Sequence, residues 1–324
     1  ARGEEVRLAA PRYFTQIDPL LKSGVLSRPE GVDWNGDGKL DLLAGNSAGQ
    51  IQFFENTGTA GQPVFTDRGF LKAGGEEIRI MAGPNGSIQG PIEEKWGYSV
   101  VSAADWDGDG LTDLMLNSIW GEVLWYRNGG SRTAPVLEPS RQVEVEWSGA
   151  PPKPEWVWWE PKGKQLVTQW RTTPKMFDWN RDGLMDLVML DHEGYLAWFE
   201  RARHGSQLRL LPPRRIFVDE AGKPLLLSNG RAGKSGRRNI DLVDWDRDGD
   251  PDLIVDTDTA AWYENVGTAQ QPAFRYRGDL TSRKTAGHSP CPDAADWNGD
   301  GLPDLVIGAE DGFFLIFIPF ALSA

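Results

Sequence analysis

The sequence predicts an all-β protein, because one acidic segment recurs along the chain, short apolar runs follow each copy, and no helical periodicity of useful length is present. Runs of Val, Ile, Leu and aromatic residues bounded by Gly, Asn and Asp are typical of strands. The acidic segment reads DWNGDGKLD in its first copy and occurs five times, at Asp33–Asp41, Asp105–Asp113, Asp178–Asp186, Asp244–Asp252 and Asp296–Asp304.

Two apolar runs follow each acidic segment and predict two strands after it. In the first repeat they are Leu42–Ala44 and a run ending at Phe53–Asn56, and in the fourth they are Leu253–Val255 and a run ending at Trp262–Asn265. The fifth repeat has drifted to Phe313–Phe317. Each repeat therefore contributes consecutive strands of one small sheet.

A further segment of each repeat predicts how the sheets close. The first four repeats carry it at Pro63–Leu71, Ala134–Val145, Gln207–Val218 and Pro272–Leu280, whereas the fifth ends without one. The N-terminal Pro11–Leu21 resembles Pro63–Leu71, so we expect it to complete the last sheet. Radial closure of four-stranded sheets gives a β-propeller. We predict one domain, 1–324, with five four-stranded blades at about 23–74, 96–146, 170–220, 238–282 and 287–324 plus 10–22.

Composition excludes several classes of protein. A net charge of −13 argues against a nucleic-acid binder, because such proteins neutralise phosphates with Lys and Arg. No window approaches about 18 uninterrupted apolar residues, so no membrane span is predicted. Cys291 is the single cysteine, which rules out an intrachain disulfide. The chain begins at Ala1 without Met, as expected of a mature secreted chain or a trimmed one.

The acidic segment has the spacing of a calcium loop. Oxygen side chains stand at its positions 1, 3, 5 and 9, and Gly at position 6 permits the sharp turn. Several carboxylates so close together repel one another unless a cation lies among them. The alternative is an Asx-rich turn without metal. The predicted ligands are Asp33, Asn35, Asp37, Asp41, Asp105, Asp107, Asp109, Asp113, Asp178, Asn180, Asp182, Asp186, Asp244, Asp246, Asp248, Asp252, Asp296, Asn298, Asp300 and Asp304.

These motifs resemble the FG-GAP or VCBS repeat of integrin α-subunit propellers, fungal lectins and some polysaccharide lyases. The resemblance implies a propeller that binds up to five structural Ca²⁺ ions at these residues. It covers nearly the whole chain but departs in blade number, since integrin-type propellers have seven blades. Sites suited to millimolar calcium predict a secreted, periplasmic or cell-surface protein. We expect the tryptophan at position 2 of each segment to pack between blades.

The face opposite the acidic segments does not repeat and is the predicted functional face. Three long insertions, at about 72–95, 147–175 and 219–238, fall between blades and bring extra tryptophans to this face. Flat aromatic rings beside polar groups suit sugar rings, although such tryptophans also hold insertions down as small cores. The predicted substrate-binding residues are Arg28, Trp96, Asn117, Trp120, Trp158, Arg171, Arg237 and Arg238.

The candidate catalytic residues are Tyr98, Asp191, His192, Asp256, Asp258, His288 and Glu310. Two carboxylates on opposite sides of the central opening on this face, such as Asp191 with Asp256, Asp258 or Glu310, would suit glycoside hydrolysis. A His or Tyr base beside an arginine would suit β-elimination from a uronate. The alternative for each carboxylate is a turn-forming role.

The predicted function is therefore that of a calcium-binding propeller acting on carbohydrate, as a hydrolase or lyase for an acidic glycan. The alternatives are a non-catalytic glycan-binding or adhesion module and a protein-interaction platform. No position on this face keeps the same residue through all five blades, which favours one composite site over a lectin's repeated pockets. The sequence does not determine the oligomeric state.

Overall fold

The computed structural model confirms an all-β chain whose small sheets form a five-bladed β-propeller. It describes residues 7–8, 12–13, 21–59, 61–87, 89–154, 159–205, 207–228, 236–282, 284 and 290–320. Blades 1 and 2 are antiparallel four-stranded sheets. Blade 1 comprises Arg28–Val32, Asp41–Gly45, Ile51–Asn56 and Phe65–Phe70, and blade 2 comprises Val100–Ala104, Asp113–Asn117, Val123–Tyr126 and Arg141–Gln142.

Blade 5 has the predicted four strands, whereas blades 3 and 4 depart from that number. Blade 3 has three: Lys175–Phe177, Asp186–Leu190 and Leu196–Phe199. Blade 4 has Ile240–Val243, Asp252–Asp256, Ala260–Asn265 and Ala273–Asp279, with Val218–Asp219 added in parallel as a fifth strand. Blade 5 has Cys291–Ala295, Asp304–Gly308 and Phe314–Phe317, and the N-terminal Arg12–Tyr13 pairs with the last of these.

The prediction of a fourth strand from Gln207–Val218 in blade 3 is wrong. Gln207–Leu210 pairs instead with Arg201–His204 in a separate hairpin. Isolated bridges of Trp198 with Arg214 and of Tyr195 with Leu226 take the place of a continuous fourth strand. Pro212 and Pro213 lie between these contacts. Proline has no N–H to donate to a ladder, so this stretch cannot pair continuously.

The first strands of the blades surround the axis. Each lies beside the first strands of its two neighbours, and Cys291–Ala295 of blade 5 contacts both Ile240–Val243 and Arg28–Val32. The acidic segments, here called acidic loops 1–5 in chain order, follow the C-terminal ends of these strands. The residues that enter each first strand therefore lie at the opposite end of the axis.

A buried polar ring surrounds the propeller axis. Each blade contributes one residue to it, three positions before its acidic loop. Its members are Glu30, Ser102, Lys175, Asp241 and Asp293. Four of them accept a backbone N–H of the following blade at 2.6–3.2 Å: Glu30 from Ala103, Ser102 from Met176, Asp241 from Ala294 and Asp293 from Gly31. Lys175 Nζ instead donates to Asp241 at 2.6 Å. The ring links adjacent blades without repeating one residue type.

Tryptophan packing between blades is confirmed. Trp34, Trp106, Trp179, Trp245 and Trp297 are all less than 9% exposed. Each joins a cluster that contains core residues of the next blade, and Trp297 of blade 5 packs with Leu42 and Phe54 of blade 1. Apolar burial of this kind is the main stabilising contribution in such a fold.

Short elements complete the described chain. Lys72–Ala73 pairs with Glu76–Glu77, Arg7–Leu8 pairs with Pro319–Phe320, and Pro91–Glu93 forms one 3-10 turn in the first insertion. Within the described ranges, no helix has the length and hydropathy needed to cross a membrane.

Candidate functional site

The five acidic loops share one backbone shape. The glycine at position 6 is left-handed in every loop, with φ from 83° to 101°, as at Gly38 and Gly249. Its N–H donates to the carboxylate of the first aspartate at 2.8–3.1 Å, as from Gly38 to Asp33 and from Gly110 to Asp105. Glycine is required because other residues pay a steric cost at positive φ. The repeated sequence therefore produces a repeated turn.

The aspartate at position 9 of each loop accepts hydrogen bonds from the surrounding backbone. Asp41 is fully buried and accepts the N–H groups of Trp34 at 3.1 Å and Asn56 at 2.7 Å. Burial raises the pKa of Asp41 to about 6 and that of Asp304 to about 7. The carboxylate thus ties its loop to the strands beneath. Ligation by Asp41, Asp113, Asp186, Asp252 and Asp304 stays a prediction.

Two loops bring three carboxylates together. The nearest oxygens of Asp105, Asp107 and Asp109 lie within 4.8 Å of one another, and so do those of Asp244, Asp246 and Asp248. Buried carboxylate oxygens of Asp107 and Asp244 have no hydrogen-bond partner among the described residues. Hard oxygen donors in this arrangement fit a divalent cation such as Ca²⁺.

At the other end of the axis lies a cavity of about 380 Å³, here called the axial cavity. Residues that enter the first strands of blades 1 to 4 converge on it, together with one turn of blade 5. Its lining consists of Val25, Leu26, Arg28, Ser47, Gln89, Trp96, Tyr98, Arg171, Arg237 and Glu310. Six of these, Arg28, Trp96, Tyr98, Arg171, Arg237 and Glu310, were predicted as site residues from sequence.

One backbone position supplies the rim of the axial cavity. Leu26, Tyr98, Arg171 and Arg237 each stand seven residues before an acidic loop and are left-handed, with φ of 55°, 49°, 57° and 69°. Positive φ is uncommon for residues other than glycine and concentrates at functional sites. The equivalent Ser289 of blade 5 lies outside the described residues. Counting back from the repeated aspartate would have identified Leu26, which the sequence analysis missed.

Three arginines give the axial cavity a strong positive character. Arg28 is only 2% exposed, and its Nε and Nη1 have no hydrogen-bond partner among the described residues. Nε of Arg171 and Nε of Arg237 are also buried without a partner. Buried charged groups are favourable only when they are paired and hydrogen-bonded, and these three guanidinium groups are incompletely hydrogen-bonded. This end of the axis therefore favours an anion.

Arg171 is held between aromatic rings and one acid. Its guanidinium carbon lies 3.2 Å from the ring centroid of Tyr98 and 4.3 Å from that of Trp170, and Nη2 lies 3.1 Å from Glu93 Oε1. Burial lowers the pKa of Arg171, while the Glu93 carboxylate opposes that shift. Burial raises the pKa of Tyr98, and Arg171 opposes it. The phenol is thus protonated at neutral pH.

Glu93 is a contributor that the sequence analysis missed. It belongs to the insertion before blade 2, is fully buried, and accepts the Ser87 hydroxyl at 2.6 Å and the Gln89 N–H at 3.0 Å. It thereby anchors the insertion that carries Gln89 and Trp96 to the arginine of blade 3. A single glutamate in an irregular insertion carries no sequence signal for this role.

The predicted carboxylates other than Glu310 do not line the axial cavity. Asp191 accepts the N–H groups of Glu193 and Tyr195 and pairs with Arg215 at 2.6 Å, so it forms a turn. Asp256 is buried against Arg238 and Asn239, and burial raises its pKa to about 6. Asp258 is exposed and pairs with Lys284 at 3.1 Å. The predicted carboxylate pairs are therefore not brought together there.

The other predicted residues also fall outside the lining. Asn117 is buried and donates to Gln169 and Thr172, which joins blades 2 and 3. Trp120 packs beside Tyr98 and Trp170 in a small core. His192 is half-buried in the turn after Asp191, and Arg238 donates to the Leu227 carbonyl. His288 and Trp158 lie outside the described residues.

Comparison with solved structures finds GH43 enzymes at low similarity. A GH43 β-xylosidase/α-arabinofuranosidase from a compost microbial metagenome, solved with xylotriose in a calcium-free form, is 13% identical, with 97% of this chain and 96% of that chain covered and a TM-score of 0.48. The GH43_1 enzyme of Xanthomonas citri with xylotriose is 11% identical, with 93% and 88% covered and a TM-score of 0.46.

No curated protein matches the chain. A family model, the FG-GAP-like repeat, matches residues 33–116 and 244–307, which hold acidic loops 1, 2, 4 and 5. Those two segments carry FG-GAP-like repeats, as the resemblance predicted.

Proposed function

We propose that the protein binds an acidic saccharide in the axial cavity and that its acidic loops hold structural calcium at the other end of the axis. The observation that carries the proposal is Arg28, a guanidinium 2% exposed at the cavity with two nitrogens lacking a protein partner. A bound carboxylate would supply the missing hydrogen-bond acceptors.

The chemistry of the lining supports a sugar rather than a bare anion. Trp96 and Tyr98 meet edge to face, with ring centroids 5.6 Å apart, and both line the cavity. Aromatic rings suit the apolar face of a pyranose, while Ser47, Gln89 and Glu310 offer polar partners for hydroxyl groups. A uronate combines both demands in one ring, because it bears a carboxylate and a hydroxyl rim.

If the protein acts on this saccharide, the lining supports elimination better than hydrolysis. Hydrolysis requires two carboxylates flanking the bond, and within the described lining Glu310 is the one carboxylate. Elimination requires an arginine on the uronate, a base for the C5 proton and an acid for the departing O4. As the C4–O4 bond breaks, the C5–H electrons form the C4=C5 bond. Glu310 as base and protonated Tyr98 as acid meet these needs.

The calcium part of the proposal rests on the acidic loops. Converging oxygens of Asp244, Asp246 and Asp248 in acidic loop 4 support it. A cation there would neutralise carboxylates that otherwise repel one another and would stabilise the folded state by mass action. Loops of this type fill at millimolar calcium, so we propose a location outside the cytoplasm.

The test is a titration calorimetry panel that pairs each uronate oligosaccharide with its neutral counterpart, in the presence of calcium. We expect the uronate to bind with a stoichiometry of one and the neutral partner to bind far more weakly. Ultraviolet absorbance of an unsaturated product would identify elimination, new reducing ends without that absorbance would identify hydrolysis, and binding without product would identify a glycan-binding module. Equal affinity for both partners would contradict the acidic-saccharide site.

A further inference from the structure

The acidic loops differ in one charge on the third strand of their blades. In blades 1 to 4, the leucine that follows the acidic loop pairs with an aromatic residue of the third strand. The next residue along that strand is Glu55 in blade 1, Glu200 in blade 3 and Glu264 in blade 4, but it is Arg127 in blade 2. The strand register makes these positions equivalent. Among these four blades, blade 2 alone therefore has a cation at this position of its third strand.

The partner on the outer segment is reversed as well. Glu55 pairs with Arg68 at 2.5 Å, Glu200 pairs with Arg214 at 2.5 Å, and Glu264 accepts from Arg277 Nε at 2.6 Å. In blade 2 an ion pair between the same two segments joins Arg127 to Glu138 at 3.2 Å, with Glu138 directly opposite Arg127 and two positions before the equivalent of Arg68 and Arg277. The ion pair is retained with its charges exchanged between the two segments.

Because of this exchange, the guanidinium of Arg127 contacts acidic loop 2. Arg127 Nε lies 2.6 Å from Asp107 and Nη2 lies 2.5 Å from Asp109. These are the carboxylates at positions 3 and 5, where the calcium spacing expects ligands. Loop 4 brings the equivalent Asp246 and Asp248 together with no such contact among the described residues, and Glu264 adds negative charge nearby.

A second guanidinium lies close to loop 2. Arg201 of blade 3 occupies the position of Asn56, Asn128 and Asn265, and its guanidinium carbon lies 3.9 Å from the ring centroid of Trp106. It is 6% exposed, and the charges of Asp107, Asp113 and Asp105 act on it. Loop 2 thus has positive charge on two sides. In loop 1 each cation contacts one carboxylate: Lys39 contacts Asp37 at 2.9 Å, and the exposed Arg132 contacts Asp33 at 3.4 Å. Neither bridges two carboxylates of the loop, as Arg127 does in loop 2.

We propose that Arg127 takes the place of the cation in acidic loop 2, so that this loop does not fill with calcium when the others do. A divalent ion there would have to displace two charge-assisted hydrogen bonds and approach a fixed positive charge. The inference rests on the proposed calcium role of the other loops. It predicts one bound ion fewer than the number of acidic loops.

The test is to count calcium by equilibrium dialysis and elemental analysis of the full chain at about 1 mM calcium. The double variant Arg127→Glu/Glu138→Arg gives blade 2 the charge order of blades 1, 3 and 4. We expect wild type to hold four ions and this variant five. The mirror-image control, Glu264→Arg/Arg277→Glu, installs the blade 2 order in blade 4 and should lose one ion.

Circular dichroism and melting in chelator establish that each variant folds. Should the double variant fail to fold, the single Arg127→Gln, which keeps a neutral polar side chain, should still gain an ion. Five ions in wild type, or an unchanged count in a folded Arg127 variant, would overturn the arginine inference alone. No bound calcium in wild type would overturn the calcium proposal and this inference with it.

Discussion

The two ends of the propeller axis use repetition in opposite ways. At the acidic-loop end, the turn, the buried tryptophan and the position 9 aspartate recur in every blade. At the cavity end, the backbone position seven residues before each loop is left-handed in four blades, yet its side chains are Leu26, Tyr98, Arg171 and Arg237. The comparison teaches that this chain repeats backbone geometry at both ends, keeps most residue types at the acidic-loop end and varies them at the cavity end.

Removing calcium should produce the largest effect and should act on the repetitive end alone. Ions bound only to the folded state stabilise it by mass action, and several sites together should raise the melting temperature by about 10–20 °C. Calorimetric scans with calcium and with chelator measure this shift. An unchanged melting temperature would break the comparison, because the loops would then be turns that need no ion.

Replacing Arg28 should separate binding from stability. Arg28→Met removes a buried guanidinium with two unpartnered nitrogens, so we expect affinity for the uronate oligosaccharide to fall by about 10- to 100-fold. The melting temperature should change little, because Nε and Nη1 of Arg28 make no hydrogen bond to the described residues that the variant would lose. Arg203→Met on an exposed hairpin strand is the matched control and should alter neither quantity. A loss of stability without loss of affinity would make Arg28 structural.

The buried polar ring between the two ends should respond to pH. Burial raises the pKa of Asp293 to about 7, above its usual 3.8. The folded state therefore keeps a proton that the unfolded state releases, and the resulting stabilisation is lost as pH rises from about 4 to 7, at about 1.4 kcal/mol per pKa unit. Asp293→Asn should flatten this decline in chemical unfolding, whereas the exposed Glu76→Gln should not. A wild-type slope retained in Asp293→Asn would rule this out.

Weakening the contact between Glu93 and Arg171 should have the smallest effect on uronate affinity. Glu93→Gln keeps the side-chain shape but weakens the contact with Arg171, so uronate affinity should fall by less than in Arg28→Met, by about threefold to tenfold. Titration of the folded variant measures this. An affinity equal to wild type would show that Arg171 needs no anchor, and the insertion would then serve only to cover the cavity.

Sequence alone predicted the repetitive end better than the cavity end, for physical reasons. Loop geometry depends on residues within nine positions of one another, so spacing reveals it. The strand starts that line the cavity were also predictable, because repeat alignment fixes where each strand begins. The anchoring by Glu93 and the turn-forming contacts of Asp191 depend on packing between distant segments, which spacing does not encode. The missing fourth strand of blade 3 had a visible cause in Pro212 and Pro213.

The most direct test of the central claim is a crystal structure of the calcium-loaded protein with a uronate oligosaccharide. The account predicts the saccharide in the axial cavity, its carboxylate within hydrogen-bond distance of Arg28 and a ring face against Trp96 or Tyr98. Saccharide density at the acidic-loop end, or a carboxylate directed away from all three arginines, would contradict it.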